Sequence, residues 1–166
     1  MRAVNNIKKI GVISDTHIPV RAKNLPQKVY DAFKGVDLII HCGDVVSGDA
    51  LIELSTIAPL CAVEGNMDPS NISLPISEVL DINGRFIICV SHGRGSPFDI
   101  KHRLYREFVQ YNPSIILYGH THVQADEIYS GIRMFNPGSP TSGSNYNSIA
   151  ILDVTGNEIM AQVIKL

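Results

Sequence analysis

The sequence predicts an α/β (α+β) fold in which two β-sheets pack together as a sandwich and helices flank the sheets. Before residue 77, short apolar runs alternate with segments of helical period, and after it strand-like runs follow one another with one long helical segment between them. A chain of 166 residues can bury a sizeable core, and we expect a single domain over residues 1–166.

The first part of the chain is predicted to alternate strands and helices. Strands are expected at residues 8–14, 37–42 and 60–63, and helices at residues 26–34 and 49–57. Pro26 suits the first position of a helix, and Val29, Tyr30 and Phe33 recur at helical spacing behind it. Gly35 then ends this helix.

The second part of the chain is predicted to be rich in strands. Asn83-Gly84 separates two strand-like runs, residues 77–82 and 85–90, and indicates a hairpin with a type I′ turn. A long helix is expected at residues 99–111, with Ile100, Leu104, Phe108 and Tyr111 on one face. Further strands are expected at 114–118, 125–129, 132–135, 148–154 and 158–165. Residues 136–147 form a loop that we expect to be ordered only by what it contacts.

Composition excludes several classes of protein. The formal net charge is −2 and there is no basic block, so the composition disfavours nucleic acid as a partner. No apolar run reaches about 18 residues, and the N-terminus lacks the apolar core of a signal peptide, so no membrane span is expected. Three scattered cysteines, Cys42, Cys61 and Cys89, indicate buried, reduced thiols and a cytoplasmic location.

Five of the predicted strands are followed by side chains that bind metal ions. These seven residues are Asp15, His17, Asp44, Asn66, His92, His120 and His122. Functional groups of α/β sheets gather where strands end, so the five ends can meet at one rim. Alternation would put Asp15 and His17 on the same side if the chain stays extended. A glycine accompanies four of the segments, which allows the backbone to approach the site closely.

The chemistry of this set favours a pair of ions. Carboxylate, imidazole and amide ligands without a thiolate suit Mn²⁺, Fe²⁺, Zn²⁺, Co²⁺ or Ni²⁺ better than a structural zinc site. Seven groups exceed the four of a closed zinc site and suffice for two ions with one shared ligand. Two ions about 3.5–4 Å apart can clamp the attacking and leaving oxygens of a phosphoryl displacement.

The ordered motifs Asp15-x-His17, Gly43-Asp44, Gly65-Asn66, His92-Gly93 and Gly119-His120-x-His122 resemble those of the calcineurin-like metallophosphoesterases. Asn136-Pro137-Gly138-Ser139 and the chain length resemble the small phosphodiesterase-like branch of bacteria and archaea. The resemblance implies the two-sheet sandwich of that family. It also implies a phosphodiesterase that attacks a small phosphate ester with a hydroxide bridging two divalent metal ions.

The resemblance assigns a role to each of the seven residues. Asp15, His17 and His122 would hold the first metal ion, Asn66, His92 and His120 the second, and Asp44 would bridge both. The catalytic residues would be Asp44, Asn66 and His92. Two divalent transition metal ions per chain are implied, with Mn²⁺ expected and Ni²⁺, Co²⁺, Fe²⁺, Zn²⁺ or Mg²⁺ as alternatives.

Two departures from the family pattern concern substrate contacts. Many family members carry a histidine directly after the motif asparagine, where it assists the leaving group, and here that residue is Met67. Asp68 or a water molecule is left as the acid. The loop of residues 136–147 holds no Lys or Arg, so no basic contact with substrate is expected from it.

Four further features have predicted roles, and for two of them, Arg94 and segment 72–76, the sequence allows two alternatives. Arg94, in a glycine-rich stretch, either contacts phosphate or lies in solvent. His41 is expected to be a hydrogen-bonded histidine in the core or behind the metal ligands, and His102 to lie on the surface. The apolar segment 72–76 either covers the edge of the core or contacts a second copy in a homo-oligomer such as a dimer.

The main alternative to an enzyme is a protein-binding scaffold. The retromer complex contains a subunit of this fold that works chiefly through protein contacts, with metal positions that have partly drifted. All seven positions here keep residues that can bind metal, which favours the enzyme. A metal-dependent nuclease shares the chemistry but is ranked lower, because a basic groove and a row of stacking aromatic residues are missing.

Overall fold

The computed structural model describes residues 1–143 and 146–166. In these ranges eleven strands and three α-helices follow one another along the chain. Their bounds are β1 (Arg2–Val4), β2 (Lys9–Ile13), α1 (Gln27–Phe33), β3 (Leu38–His41), α2 (Gly48–Ser55), β4 (Leu60–Ala62), β5 (Ser77–Ile82), β6 (Phe86–Ser91), α3 (Ile100–Phe108), β7 (Ile115–Leu117), β8 (Ala125–Tyr129), β9 (Ile132–Asn136), β10 (Ser148–Val154) and β11 (Ile159–Lys165).

The strands form two mixed sheets. The six-stranded sheet has the order β1-β5-β6-β7-β9-β8, and the five-stranded sheet has the order β11-β10-β2-β3-β4. In the larger sheet β6, β7 and β9 are parallel, and in the smaller sheet β2, β3 and β4 are parallel. The carboxyl ends of these parallel strands therefore lie at the same end of each sheet.

Aliphatic side chains from both sheets fill the interior of the sandwich. Ile10 and Ile40 of the smaller sheet and Ile88 and Leu117 of the larger sheet are all fully buried there. Two outer clusters attach the helices. Helices α1 and α2 pack on the smaller sheet through Phe33 and other apolar residues, and α3 packs on the larger sheet. The predicted two-sheet sandwich with flanking helices is thus confirmed.

Most predicted elements form within two residues of their predicted bounds, with local corrections. Strand β1 was not predicted; it is a short edge strand that pairs in parallel with β5. Pro26 precedes α1 as its N-cap residue instead of opening the helix. The predicted helix at 99–111 is α3 flanked by single 3₁₀ turns, and Tyr111, placed on its apolar face, is 41% exposed. Asn83 and Gly84 both have positive φ, as a type I′ turn requires.

The apolar segment 72–76 has one residue that fits each of its two predicted roles. Leu74 packs against the apolar cluster beneath helices α1 and α2, and Ile76 is 61% exposed. In the described ranges, no helix has the length and apolar character that crossing a membrane requires. Part of the loop at 136–147 lies outside the described residues, and its described part is tied to the site.

Candidate metal centre

The seven predicted site residues lie at the carboxyl ends of strands from both sheets. Asp15 and Asp44 follow β2 and β3 of the smaller sheet, and Asn66 lies a few residues beyond β4. His92 directly follows β6, and His120 and His122 come after β7, in the larger sheet. The rim where the two sheets meet thus gathers groups from segments far apart in sequence.

Four of the residues form one compact cluster. One ligand atom each of Asp15, His17, Asp44 and His122 lies within 4.8 Å of the others. Nε2 of His122 is 3.2 Å from Oδ1 of Asp15 and 3.3 Å from Nε2 of His17. The three residues expected at the first metal ion are therefore next to one another, and Asp44 is beside them.

Asp44 also contacts a second group. Its Oδ2 atom is 3.7 Å from Nε2 of His17 and 3.3 Å from Nε2 of His92. Asn66 Oδ1 is 3.1 Å from the same His92 nitrogen. One carboxylate oxygen thus lies between the two groups, which is the arrangement that a bridging ligand needs.

The hydrogen bonding of His92 indicates that the three facing atoms of this second group are all hydrogen-bond acceptors. Its Nδ1–H donates to the carbonyl of Cys42 at 2.8 Å, so Nε2 of the neutral ring carries the lone pair. That lone pair faces Asp44 Oδ2 and Asn66 Oδ1, which also accept. Three acceptors facing one another need a proton or a cation between them, and the donor set of oxygen and imidazole nitrogen fits a divalent transition metal ion.

His120 is next to this group but is oriented by its own contacts. Its Nε2–H donates to the carbonyl of Gly95 at 2.8 Å, which leaves Nδ1 with the lone pair. Its ring centroid is 5.2 Å from that of His92, and its backbone nitrogen is 3.1 Å from Oδ2 of Asp15. Any ligation by His120 would therefore use Nδ1.

The backbone of the site corrects one step of the sequence argument. The chain after β2 is not extended, because Asp15 and His17 have φ values of 53° and 47°. Asp44, His120 and His122 also adopt positive φ, so five of the seven predicted residues lie in the left-handed region. Such backbone persists only where the surroundings fix it, and it clusters at functional sites. Tight turns, and not strand alternation, aim these side chains.

Close packing explains one glycine of the motifs. Gly43 has φ of 92°, and a Cβ atom on it would lie 2.7 Å from Nδ1 of His92. A larger residue would displace the imidazole from its hydrogen bond to the Cys42 carbonyl. Glycine is therefore required here by both conformation and space.

The Asn-Pro-Gly-Ser segment has a function that sequence reasoning missed. The hydroxyl of Ser139 donates to the carbonyl of Asp15 at 2.8 Å, and the hydroxyl of Thr141 donates to the carbonyl of Thr16 at 2.7 Å. Asn136 Nδ2 donates to the carbonyl of Gly119 at 2.8 Å. This loop thus fixes the two turns that carry Asp15 and His120. The motif itself carries this signal, because Asn and Ser side chains readily hydrogen-bond to nearby backbone groups in turns.

His41 lies behind the site, as predicted. It is fully buried, Thr16 Oγ1 is 3.1 Å from its Nε2, and the backbone nitrogen of Gly43 donates to its Nδ1 at 3.2 Å. Burial lowers the pKa of His41 to about 4, so the ring is neutral near neutral pH. His102, predicted on the surface, is exposed.

Burial and neighbouring charges shift the pKa values of the site residues in opposite directions. Burial lowers the pKa of His17, and the carboxylates of Asp44 and Asp15 only partly offset this effect. Burial also disfavours the ionised form of Asp44, but the hydrogen bond from Nε2–H of protonated His92 and the positive charge of that ring outweigh this effect, so the pKa of Asp44 is lowered. The same pair raises the pKa of His92 against the effect of burial. The carboxylate form that binds a metal ion is therefore favoured at Asp44.

Two residues considered for substrate contacts have other partners. The carboxylate of Asp68 accepts from the backbone nitrogens of Val46 and Gly65, both at 2.7 Å, so it braces two loops of the site. Arg94 pairs with Glu64 at 2.8 Å and donates to the carbonyl of Gly65 at 3.1 Å. Arg94 is thus an exposed but paired side chain, and it does not line the cleft that contains Asp44 and Asn66.

The site opens into a cleft of about 310 Å³. Its walls are His17, Val20, Arg21, Asp44, Asn66, Met67, His120 and His122. Asp15 and His92, which do not line the cleft, are fully buried beneath it. Asp44 and Asn66 are therefore reached from the cleft, while Asp15 and His92 are shielded from solvent.

A two-sheet sandwich with carboxylate, imidazole and amide groups at its rim matches the architecture of the metallophosphoesterases. The family model of the calcineurin-like phosphoesterase superfamily domain matches residues 9–157. The chain therefore belongs to this family. A probable metallophosphoesterase of Methanothermobacter thermautotrophicus is 38% identical over 158 residues, covering 94% of this chain and 91% of the relative. A phosphodiesterase of Methanocaldococcus jannaschii is 30% identical over 151 residues, covering 78% and 82%.

Solved structures agree on the fold. The solution structure of a Thermotoga maritima protein is 37% identical, covers 96% of this chain and 100% of that chain, and superposes with a TM-score of 0.77. Vps29 of Chaetomium thermophilum superposes with a TM-score of 0.77 at 22% identity, covering 95% and 96%. The second likeness concerns the fold alone.

Proposed function

We propose that this protein is a dimetal phosphodiesterase. Asp15, His17 and His122 would hold one divalent ion, Asn66, His92 and His120 the other, and Asp44 would bridge them. The observation that carries the proposal is the position of Asp44 Oδ2, which is 3.7 Å from His17 Nε2 and 3.3 Å from His92 Nε2. Among the candidate ions we propose Mn²⁺ as the native one.

Two bound divalent cations would supply a hydroxide nucleophile near neutral pH and neutralise charge on the phosphate. The chain's own groups orient the reaction. Met67 N–H donates to Oδ1 of Asp44 at 2.7 Å and leaves Oδ2 for the metal ions. Asn66, exposed in the cleft, would donate from its amide to a phosphate oxygen as negative charge grows there.

Neither Met67 nor Asp68 can protonate the leaving group. Met67 cannot donate a proton, and both carboxylate oxygens of Asp68 are occupied by backbone donors. Solvent water at the open cleft is therefore the proposed acid. Activated esters, whose leaving groups need no proton, should react faster than alkyl esters.

The test is hydrolysis of bis(p-nitrophenyl) phosphate and p-nitrophenyl phosphate by metal-stripped protein, with Mn²⁺, Ni²⁺, Co²⁺, Zn²⁺, Fe²⁺ or Mg²⁺ added back. Asp44→Asn should lower kcat/KM at least ~100-fold, because even partners of metal ligands cost 10–100-fold when lost. Its bound-metal content should fall as well. Asp153→Asn is the matched control, because within residues 1–143 and 146–166 the carboxylate of Asp153 pairs only with Lys9.

A protein-binding scaffold is the second candidate function. The fold likeness to Vps29 is the observation that favours it. Two bound ions per chain without turnover on either ester, with any metal, would support the scaffold and reject the enzyme. Metal-dependent turnover that is lost in Asp44→Asn would reject the scaffold as the main function.

We also propose a cellular location and an oligomeric state for the protein. Cys42, Cys61 and Cys89 are buried and unpaired with one another, which fits reduced thiols in the cytoplasm. The exposed Ile76 beside the packed Leu74 fits a homodimer contact at segment 72–76. Sedimentation of wild type and Ile76→Ser would test the dimer, which should dissociate in the variant.

A further inference from the structure

The rim of the cleft carries one basic side chain that the proposed mechanism does not use. Arg21 lines the cleft beside Val20, and it is the only Lys or Arg among the described residues of the cleft wall. Its backbone nitrogen donates to the carbonyl of His17 at 2.8 Å. The turn that aims His17 therefore also holds Arg21 at the mouth of the site.

The guanidinium of Arg21 contacts a proposed metal ligand from outside. Its Nη1 is 3.2 Å from Nδ1 of His122, while Nε2 of that ring is 3.2 Å from Oδ1 of Asp15. Since a guanidinium can only donate, Nδ1 accepts here and the neutral ring carries its proton on Nε2. A cation at Nε2 requires the opposite tautomer, with the proton on Nδ1. The ring cannot hold both cations, so metal binding would free the guanidinium at the mouth of the cleft.

Other arginines near the site are already engaged. Arg94 pairs with Glu64, and Arg103 donates to the carbonyls of Arg94 and Ser96, both at 2.8 Å. Arg94 and Arg103 line a separate cavity of about 180 Å³. Arg21, by contrast, has no carboxylate partner within residues 1–143 and 146–166. It is the side chain of this set that can take a new anion without breaking an ion pair.

We propose that Arg21 binds the phosphate group of the substrate at the mouth of the cleft. This assignment rests on the proposed phosphoesterase function and adds the residue that recognises the anion. The planar fork of a guanidinium matches two oxygens of a phosphate, which a lysine matches only as a point charge. Val20 and Met67, 74% and 57% exposed, form an apolar rim on which the ester group can lie.

The experiment measures binding of inorganic phosphate by calorimetry to metal-loaded wild type, Arg21→Ala and Arg21→Lys, and measures kcat and KM for bis(p-nitrophenyl) phosphate. Arg21→Ala should weaken phosphate binding ~10–100-fold, the range for a charge-assisted hydrogen bond, and raise KM by a similar factor with kcat changed less than about threefold. Arg21→Lys should recover part of the loss. Lys23→Ala, an exposed cation on the same loop, should match wild type.

Each outcome separates this assignment from the function on which it rests. Phosphate affinity of Arg21→Ala within twofold of wild type overturns the assignment even if wild type is an active enzyme. Bound metal that falls in Arg21→Ala also overturns it, since Arg21 would then act through His122. Wild type that lacks turnover but binds phosphate through Arg21 rejects the enzyme and keeps the anion site. Wild type that binds no phosphate rejects the site.

Discussion

Gly65 and Asp44 are packed so closely that a Cβ atom on Gly65 would overlap both Oδ1 and the backbone nitrogen of Asp44. We predict that Gly65→Ala displaces the proposed bridging carboxylate and the loop behind it. Activity should fall at least ~100-fold and bound metal should drop, while the fold persists with a stability loss of about 1–3 kcal/mol, as for overpacking. Metal analysis, kcat/KM and thermal unfolding measure these effects.

Gly48→Ala is the matched control for this substitution. Gly48 opens helix α2, and no described residue has an atom within 4 Å of a Cβ atom placed on it. The control should keep full activity and be as stable as wild type or slightly more so, because alanine is the better helix former. Normal metal binding in Gly65→Ala would contradict the proposed role of Asp44.

Asp68 is predicted to brace the site and not to serve as its acid. Asp68→Ala removes the acceptor of two backbone nitrogens, those of Val46 and Gly65, and should cost about 1–3 kcal/mol of stability. Asp68→Asn keeps one acceptor oxygen and should lose less. The pH–rate profile of Asp68→Asn should keep the shape of the wild-type profile. A lost limb in that profile would show that Asp68 transfers a proton after all.

We predict that the protein loses stability in weak acid because His41 is buried in its neutral form. The pKa of His41 is about 4 in the folded protein, and the ordinary value is 6.5, so the unfolded chain binds a proton between these values and the folded chain does not. Stability therefore falls as pH drops through that window. Between pH 7 and pH 5 this one group should remove about 2 kcal/mol from the free energy of unfolding.

Urea unfolding of metal-free wild type, His41→Gln and His102→Gln at both pH values tests this loss. His41→Gln should lose about 2 kcal/mol less than wild type between pH 7 and pH 5, because glutamine carries no titrating group. His102→Gln should follow wild type, since His102 is exposed. Equal pH dependence in all three proteins would contradict a neutral, buried His41.

The three thiols are predicted to be inert until the protein unfolds. Burial raises the pKa of Cys61 to about 11 and of Cys89 to about 12, and it raises that of Cys42 well above its usual value. A thiol reagent needs both access and thiolate. Ellman's reagent should therefore label none of them in the native protein and all three in guanidinium chloride. Rapid labelling of a native thiol would show local opening of the sheets.

The fold was largely readable from the sequence because it depends on local pattern. Apolar runs of strand length, the helical period of Ile100, Leu104 and Phe108, and the Asn83-Gly84 turn each predicted an element that the structure contains. Strand β1 escaped prediction, because a three-residue edge strand that is mostly exposed carries no such pattern. Its pairing with β5 depends on a partner far along the chain.

The sequence by itself also determined the chemistry of the candidate site, since residue type and position after a strand suffice to name donors. Only the tertiary structure decided how those donors face one another. It placed Asp44 between His17 and His92, it tied Asp68 to backbone nitrogens, and it left Arg21 at the cleft. These outcomes depend on left-handed turns and on contacts between residues more than a hundred positions apart, and no periodicity in the sequence encodes them.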